Sequence, residues 1–327
     1  MKAVVIVKRA GQERPDLEYQ TVPDPKPEPN ELLVSVRAAG INRIDLHRST
    51  AHGAPAAGKP LVAGLEMSGE VVAVGENVHD FRTGDKVYGM TTGSYAELAT
   101  IDHRYALPVP PAFSFDQATA VATVYPTAHN ALVTNGQFAA GKTVLIQGVS
   151  SAVGIATLQI AKAMGAKCVV GTGRPNANIG KLAEAGLDRF LLNGTDNIPA
   201  EIMAMTDGRG VDTIVDMVGG PTIADNLESV ALAGRIVSVG WVGGTKGEID
   251  LDTLARKRVT LVGVSFRTRT VEEKTELFAQ FRRDVYPLFV NGTLVPYIAA
   301  TYHLSEAAAA QDAMAEDKHF GKILLHP

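Results

Sequence analysis

The stretch "VLIQGVSSAVGIATLQIAKAMGA", residues 144–166, reads as a strand, a turn and a helix, the order in which α/β folds build a phosphate loop. The first N–H groups of a helix lack intrahelical acceptors and carry about half a positive charge, which attracts a pyrophosphate. A dinucleotide turn usually reads G-x-G-x-x-G; here Gly148 and Gly154 remain, with Ser150, Ser151, Ala152 and Val153 between them. Serine and alanine are the next smallest residues and a serine hydroxyl adds a donor, so backbone can still approach phosphate while Gly154 serves helix-to-strand packing. A tight turn before a buried helix has the same composition, so the loop alone leaves both readings open. The next apolar run, "KCVVGTGRP", ends in Gly173 and Arg174. An NAD site normally shows Asp or Glu near this point for the ribose hydroxyls. A guanidinium instead suits a 2′-phosphate in bidentate fashion, which favours NADPH; an exposed arginine after a strand is the plain alternative.

The elements around this loop divide the 327-residue chain in two, as expected of a length beyond what one core usually serves. Up to about residue 119, short apolar runs alternate with turn formers, among them "AVVIV", "LLVSVRAAG", "EMSGEVVAVGENV" and "SYAELAT", the punctuation of a compact, barrel-like β unit. From residue 120 the rhythm changes. Near-continuous apolar runs at 143–148, 167–173, 189–193, 213–220, 235–240 and 260–265 predict parallel strands buried on both faces. Helical segments at 151–165, 176–185, 198–205 and 222–232 separate them, so the class is α/β with a doubly wound six-stranded sheet. A helix follows Ser265, with Thr270 and Glu273 as a capping box. The tail "LVPYIAATYHL…GKILL" resembles the first region and is expected to return to it.

Bulk properties narrow the function. The net charge is −4, with 31 Lys and Arg scattered without a basic run, and the pI is near 6.1; neither nucleic acid nor an anionic membrane is an expected partner. Cys168 is the only cysteine, which excludes an internal disulfide and a cysteine-rich zinc site and fits a reducing cytoplasm. Its apolar setting, "KCVVG", predicts a packing residue. The N-terminal "MKAVVIVKRAG" reads as a strand, not a signal peptide.

The pieces "AAGINRIDLHR" (38–48), "LVAGLEMSGEVVAVGENV" (61–78), "FRTGDKVYG" (81–89), "SYAEL" (94–98), "TAHNAL" (127–132), the loop above and "HFGKILL" (319–325) together resemble the medium-chain dehydrogenase/reductase superfamily. Within it they resemble the zinc-free NADPH:quinone oxidoreductase, or zeta-crystallin-like, family. The resemblance implies a GroES-like, partly open β-barrel domain over 1–119, completed by 264–327, and a Rossmann NADPH-binding domain over 120–263. It also implies an active site in the cleft and a homodimer with "TLVGVS" as its seam. Zinc-dependent relatives carry a catalytic Cys and a Gly-His-Glu motif, where this chain has Ala39, Gly40, Ile41 and then Leu65 before Glu66. Zinc needs several N or S ligands at once, so no metal is expected and Glu66 reads as a structural acceptor.

Carried over by the resemblance, Asn42 and Asp45 are positioning groups beside nicotinamide and substrate. His47 stands where a tyrosine often occurs and is a candidate proton donor, and Arg48 is either a substrate-side charge or a partner of Asp45. Thr127 matches a contact to the cofactor carboxamide, with a helix N-cap as its plain reading. The loop residues Ser151, Ala152, Val153 and Gly154 hold the pyrophosphate, and Gly173, Arg174 and Asn176 the 2′-phosphate. Val218, Gly219, Gly240 and Trp241 approach the nicotinamide ribose, Trp241 having a core position as its alternative. Phe266, Arg267 and Lys322 close over the cofactor. The expected activity is hydride transfer to a quinone or similar conjugated carbonyl. An enoyl or alkenal reductase and a non-catalytic NADPH-binding protein are the rivals; enoyl reductases tend to place a tyrosine after "NRID", and residues 42–60 contain none.

Overall fold

The computed structural model describes residues 1–9, 11, 14–47 and 60–327. Arg48 and most of the loop "STAHGAPAAGKP" lie outside the described residues. The chain forms two compact units, one of Met1–Thr123 with Thr270–Pro327, the other of Val124–Arg269.

In the first unit β1 (Lys2–Val7) pairs with β2 (Asp16–Thr21), and a mixed sheet gathers β3 (Glu31–Gly40), β4 (Glu66–Val74), β5 (Lys86–Met90), β6 (Leu98–Asp102) and β7 (Ala106–Pro108). In the second, β8 (Thr143–Gln147), β9 (Cys168–Gly173), β10 (Arg189–Leu192), β11 (Val211–Asp216), β12 (Val230–Ser238) and β13 (Thr260–Gly263) are all parallel, in the order β10-β9-β8-β11-β12-β13. This is the doubly wound sheet that the apolar runs predicted. Its strands read as continuous hydrophobic runs because helices cover both faces; Val144, Leu145, Ile146, Ile214, Val215, Ile236 and Val237 are fully buried.

The tail returns to the first unit. There β14 (Ile298–His303) lies parallel to β15 (Lys322–His326), and β15 pairs antiparallel with β3 in the register Leu324↔Gly40 and Leu325↔Ala39. Ile323, Leu324 and Leu325 are buried beneath it, so the last strand is a core strand and carries Lys322 to the end of β3. The helix Val271–Asp284 starts on the Thr270–Glu273 capping box, and Leu277, Phe278 and Phe281 face inward.

Three expectations shift. The units change over at 123/124 and 269/270, not at 119/120 and 263/264. The helix Phe115–Val121 belongs wholly to the first unit, because Thr119 Oγ1 donates to Ser68 Oγ (2.7 Å) and lies 3.2 Å from Ala38 O, while Ser68 Oγ donates to Phe115 O (2.7 Å). Val264 N–H bonds Ser238 O (3.0 Å), which keeps the residues just after β13 with the second unit. The expected helix at 176–185 begins only at Ile179, capped by Asn178. That at 222–232 ends at Ser229, where Lys257 Nζ donates to the carbonyls of Leu227, Glu228 and Val230 (2.8, 2.6 and 2.9 Å), and Val230 opens β12. Among the described residues no helix is long and apolar enough to cross a membrane.

Candidate active site

The chemistry-bearing segment of the first unit follows β3 directly. After Gly40 the chain turns into a short 3-10 helix, Arg43–His47. Asp45 holds that turn: its Oδ2 accepts from the Asn42 backbone N–H (2.7 Å) and from the Tyr95 hydroxyl (2.8 Å). Both Asp45 and Tyr95 are fully buried. Burial, then the charges of Asp45 and Glu66, push the Tyr95 phenol well above its usual range. It is a fixed donor to Asp45, not an acid for solution chemistry.

Beside the turn lies an ion pair with almost no access to water. Glu66, the first residue of β4, is 0% exposed and Lys322, the first of β15, 2%. Lys322 Nζ approaches Glu66 Oε1 at 2.5 Å and donates to Ile41 O (2.7 Å) and Asn42 Oδ1 (2.9 Å). Asn42 Nδ2 donates in turn to Glu66 Oε1 (2.9 Å). Glu66 is thus an acceptor, as its sequence suggested. A Cβ on residue 40 would coincide with its carboxylate, which explains a glycine at the end of β3.

The position of Lys322 corrects one expectation. An ammonium has three N–H donors, and Ile41, Asn42 and Glu66 take all three, so the side chain closes on its own unit and keeps no donor for a cofactor. His47 ends the 3-10 helix exposed. His319, which the sequence did not single out, is half-buried; burial, then the positive charges of Arg43 and Lys322, hold its imidazole below the usual range.

In the second unit the strand–turn–helix of the phosphate loop is present. Ser151 caps the helix Ala152–Ala163, its hydroxyl accepting from Gly154 N–H (3.1 Å) and donating to Gly148 O (2.8 Å). A Cβ on Gly154 would lie 2.6 Å from Gly148 O and 2.7 Å from Val149 O, so this glycine is fixed by the close approach of the helix to the turn that follows β8. The amides of Ala152 and Val153 open the helix, where backbone donors have no intrahelical acceptor.

Gly173 ends β9, and Arg174 and Asn176 follow it with exposed side chains. Val218 and Gly219 follow β11 in a turn tied down by Asp216, whose Oδ1 accepts from both amides (2.7 and 3.0 Å). Asp216 Oδ2 accepts from Thr222 Oγ1 and Asn226 Nδ2, both at 2.8 Å. Burial pushes this carboxyl above its ordinary range, against the pull of those hydrogen bonds. From Asn226 the bonding continues through Gln147 Nε2 (2.7 Å), and Thr172 Oγ1 donates to Gln147 Oε1 (2.6 Å). Gly219 has φ of +93°, a conformation open to glycine.

The remaining expected residues are placed as follows. Gly240 and Trp241 follow β12; Trp241 is 50% exposed, which removes its core alternative. Thr127 is half-buried within the helix Val124–His129, three residues past its start, and so is not an N-cap. Phe266 is half-buried and Arg267 exposed just past β13, in the second unit. Cys168 is half-buried at the start of β9, its thiol pushed up by burial and by Asp188, which suits a packing residue and not a nucleophile.

Two family models match: the alcohol dehydrogenase GroES-like domain over residues 28–111 and the zinc-binding dehydrogenase domain over 152–281. The quinone oxidoreductase of Rattus norvegicus is 30% identical over 331 residues, covering 99% of this chain and 97% of the relative. Two solved structures are similar over nearly all of both chains: a mycobacterial protein complexed with NADPH, with TM-score 0.87, 25% identity and 100% of each chain covered, and the CurK enoyl reductase, with TM-score 0.84, 25% identity and 99% of each. The architecture is that of the medium-chain dehydrogenase/reductase oxidoreductases. Within that superfamily the chain belongs to the quinone oxidoreductase family.

The bond from Tyr95 to Asp45 is a neutral donor to a buried carboxylate, a type that contributes about 1.5–3 kcal/mol. Tyr95→Phe is therefore expected to lower the unfolding free energy by about that amount, seen as a lower denaturant midpoint at unchanged slope; an unmoved midpoint would show that Asp45 does not depend on this donor.

Proposed function

We propose that this protein is a zinc-independent, NADPH-dependent quinone reductase, acting on a quinone or a similar conjugated carbonyl. The observation that carries the reading is the Asn42–Glu66–Lys322 cluster. Glu66 Oε1 is held by Lys322 and Asn42, and at the positions where zinc-dependent relatives carry ligands this chain has Ala39, Gly40, Ile41 and Leu65, none of which offers a side-chain donor atom, so Glu66 alone would remain. That donor set does not fit zinc.

The metal-free arrangement selects the acceptor chemistry. Hydride addition to a simple ketone builds a localised alkoxide, which needs a Lewis acid or a strong proton donor. A quinone or conjugated carbonyl spreads the charge into a phenolate or enolate of much lower basicity, for which a carboxamide donor such as Asn42 suffices. The proton comes from solvent or from exposed His47.

The second unit fits a dinucleotide on its own geometry. Gly154 leaves no room for a side chain between the helix and the Gly148–Val149 turn, and Ser151, Ala152 and Val153 present the helix start to a pyrophosphate. Arg174 and Asn176 recognise the 2′-phosphate, and Gly173 lets it approach. Val218, Gly219, Gly240 and Trp241 line the nicotinamide ribose, Thr127 contacts the carboxamide, and Phe266 and Arg267 cover the cofactor. When bound, NADPH supplies the hydride from nicotinamide C4.

Similarity to an enoyl reductase supports a second reading, reduction of a conjugated alkene. Against it stand the lack of tyrosine in residues 42–60 and the burial of Tyr95 on Asp45. The single cysteine accords with a cytoplasmic site of action. A homodimer through the free edge of β13, where Leu261 is exposed, accords with the family.

NADPH oxidation with an ortho-quinone in the presence of a chelator is expected to proceed at the untreated rate; loss of turnover on chelation, or reduction of alkenals alone, overturns the reading. Arg174→Asp is expected to raise KM for NADPH about 10- to 100-fold, the worth of charge-assisted bonds to phosphate, with little change for NADH. Equal changes for both cofactors would remove Arg174 from 2′-phosphate recognition. Light scattering is expected to find a dimer that Leu261→Lys converts to monomers, since an edge lysine blocks strand pairing; an unaltered dimer places the seam elsewhere.

A further inference from the structure

The side-chain amide of Asn42 stands between opposite charges: Lys322 Nζ donates to its Oδ1 and its Nδ2 donates to Glu66 Oε1, each at 2.9 Å. A carboxamide has nearly the same shape when turned by half a rotation, so its orientation is set by what it meets. Here the turned form would press the NH2 against an ammonium and the carbonyl oxygen against a carboxylate. Both contacts are repulsive, and in a buried setting the penalty is large. The Glu66–Lys322 pair therefore fixes which end of the amide is which.

Asn42 Nδ2 has two N–H donors, and Glu66 takes one. The other has no acceptor among the described residues, and Asn42 itself is half-buried. The ammonium on Oδ1 draws electron density from the amide, which strengthens the remaining N–H as a donor. Glu66 Oε2 is buried without a partner among the described residues, so the hydrogen bonding of this carboxylate runs through the one oxygen shared by Asn42 and Lys322.

We infer that Glu66 and Lys322 are positioning residues which lock and polarise the Asn42 carboxamide, so that its second Nδ2–H donates to the substrate oxygen on which negative charge develops. The assignment rests on the metal-free reductase reading for the identity of that oxygen. It also bears on substrate class. Because the pair sums to zero charge, what faces the substrate is a neutral donor, matched to a delocalised phenolate or enolate and not to an alkoxide.

Removing one charge alone strands the other in the core, so the test removes both. In the Glu66→Gln/Lys322→Met double variant a glutamine amide serves either orientation of Asn42 and no ammonium favours one. Cooperative melting and NADPH binding within about threefold of the parent are expected, since the cofactor loops belong to the other unit; kcat with a quinone is expected to fall about 10- to 100-fold at nearly constant KM, the pattern of a lost transition-state donor. Asn42→Ala is expected to cause a similar loss in the parent and little further loss in the double variant. Equal effects of Asn42→Ala in both backgrounds, or parental kcat in the double variant, overturn the proposal.

A second measurement needs no turnover. In the apo protein the Asn42 side-chain amide, assigned by its loss in Asn42→Ala, is expected to show two well-separated proton resonances, with exchange of the Glu66-bound proton slowed about tenfold or more. A freely exchanging pair in the parent overturns the lock, and this holds even where the double variant does not fold. If the lock is seen and no quinone is reduced, the reductase reading has failed and, with it, the assignment of the acceptor oxygen.

Discussion

The buried contact between Glu66 and Lys322 constrains both ends of the chain. Two opposite charges are held away from water at least cost when their geometry is good and their remaining bonding capacity is met; here the ammonium is fully bonded, while Glu66 bonds through Oε1 alone. Lys322 meets that condition through Ile41 O and Asn42 Oδ1, and it can do so only because β15 pairs with β3 at Gly40 and Ala39. The return of the C-terminal tail is thus more than completion of a sheet. It delivers the cation without which Glu66, at the start of β4, would be an uncompensated charge. Gly40 belongs to the same constraint, since any side chain there would occupy the carboxylate's space.

The second unit reaches rigidity by other means. Its strand ends are joined by a chain of buried hydrogen bonds, Thr172 to Gln147 to Asn226 to Asp216, and Asp216 in turn holds the amides of Val218 and Gly219. These residues come from β9, β8, β11 and the helix Ile223–Ser229, so the end of β9 before Gly173, the strand leading into the phosphate loop and the Val218–Gly219 turn share one frame. Polar chains of this kind are costly when incomplete and specifying when satisfied. That balance shows in the upward displacement of Asp216, where burial outweighs four hydrogen bonds.

What could be read in the sequence follows from how far each feature depends on neighbours along the chain. The six parallel strands announced themselves because burial on both faces imposes an unbroken apolar run. The strand–turn–helix around Gly154 did so because the close approach there excludes a side chain. The capping box at Thr270 is likewise a local signal. By contrast, Tyr95 reaches Asp45 across 50 positions and Lys322 reaches Asn42 across 280; no periodicity or spacing encodes such pairings. The resemblance gave the place of Asn42, Asp45 and Lys322 but not their bonding, and so Lys322 was expected toward a cofactor while its ammonium is spent inward. The starts and stops of helices were misjudged where single side chains decide them, Asn178 at one start and Lys257 at one end.

Within the Glu66–Lys322 pair the formal charges cancel, and the segment that leads into the 3-10 helix presents the neutral amide of Asn42. A site built this way cannot compete with a divalent ion in stabilising a localised alkoxide, because a neutral hydrogen bond is worth a small part of such an interaction. It has no need to do so where the acceptor's own conjugation disperses the charge. In the proposed reading the Glu66–Lys322 pair leaves no net positive field to favour a charged ground state, so any stabilisation by Asn42 is realised as charge forms on the oxygen, the condition under which a binding contact raises kcat and not merely affinity. Under the proposed function, the same neutrality that allows Glu66 and Lys322 to be buried matches the Asn42 amide to an acceptor that disperses its own charge.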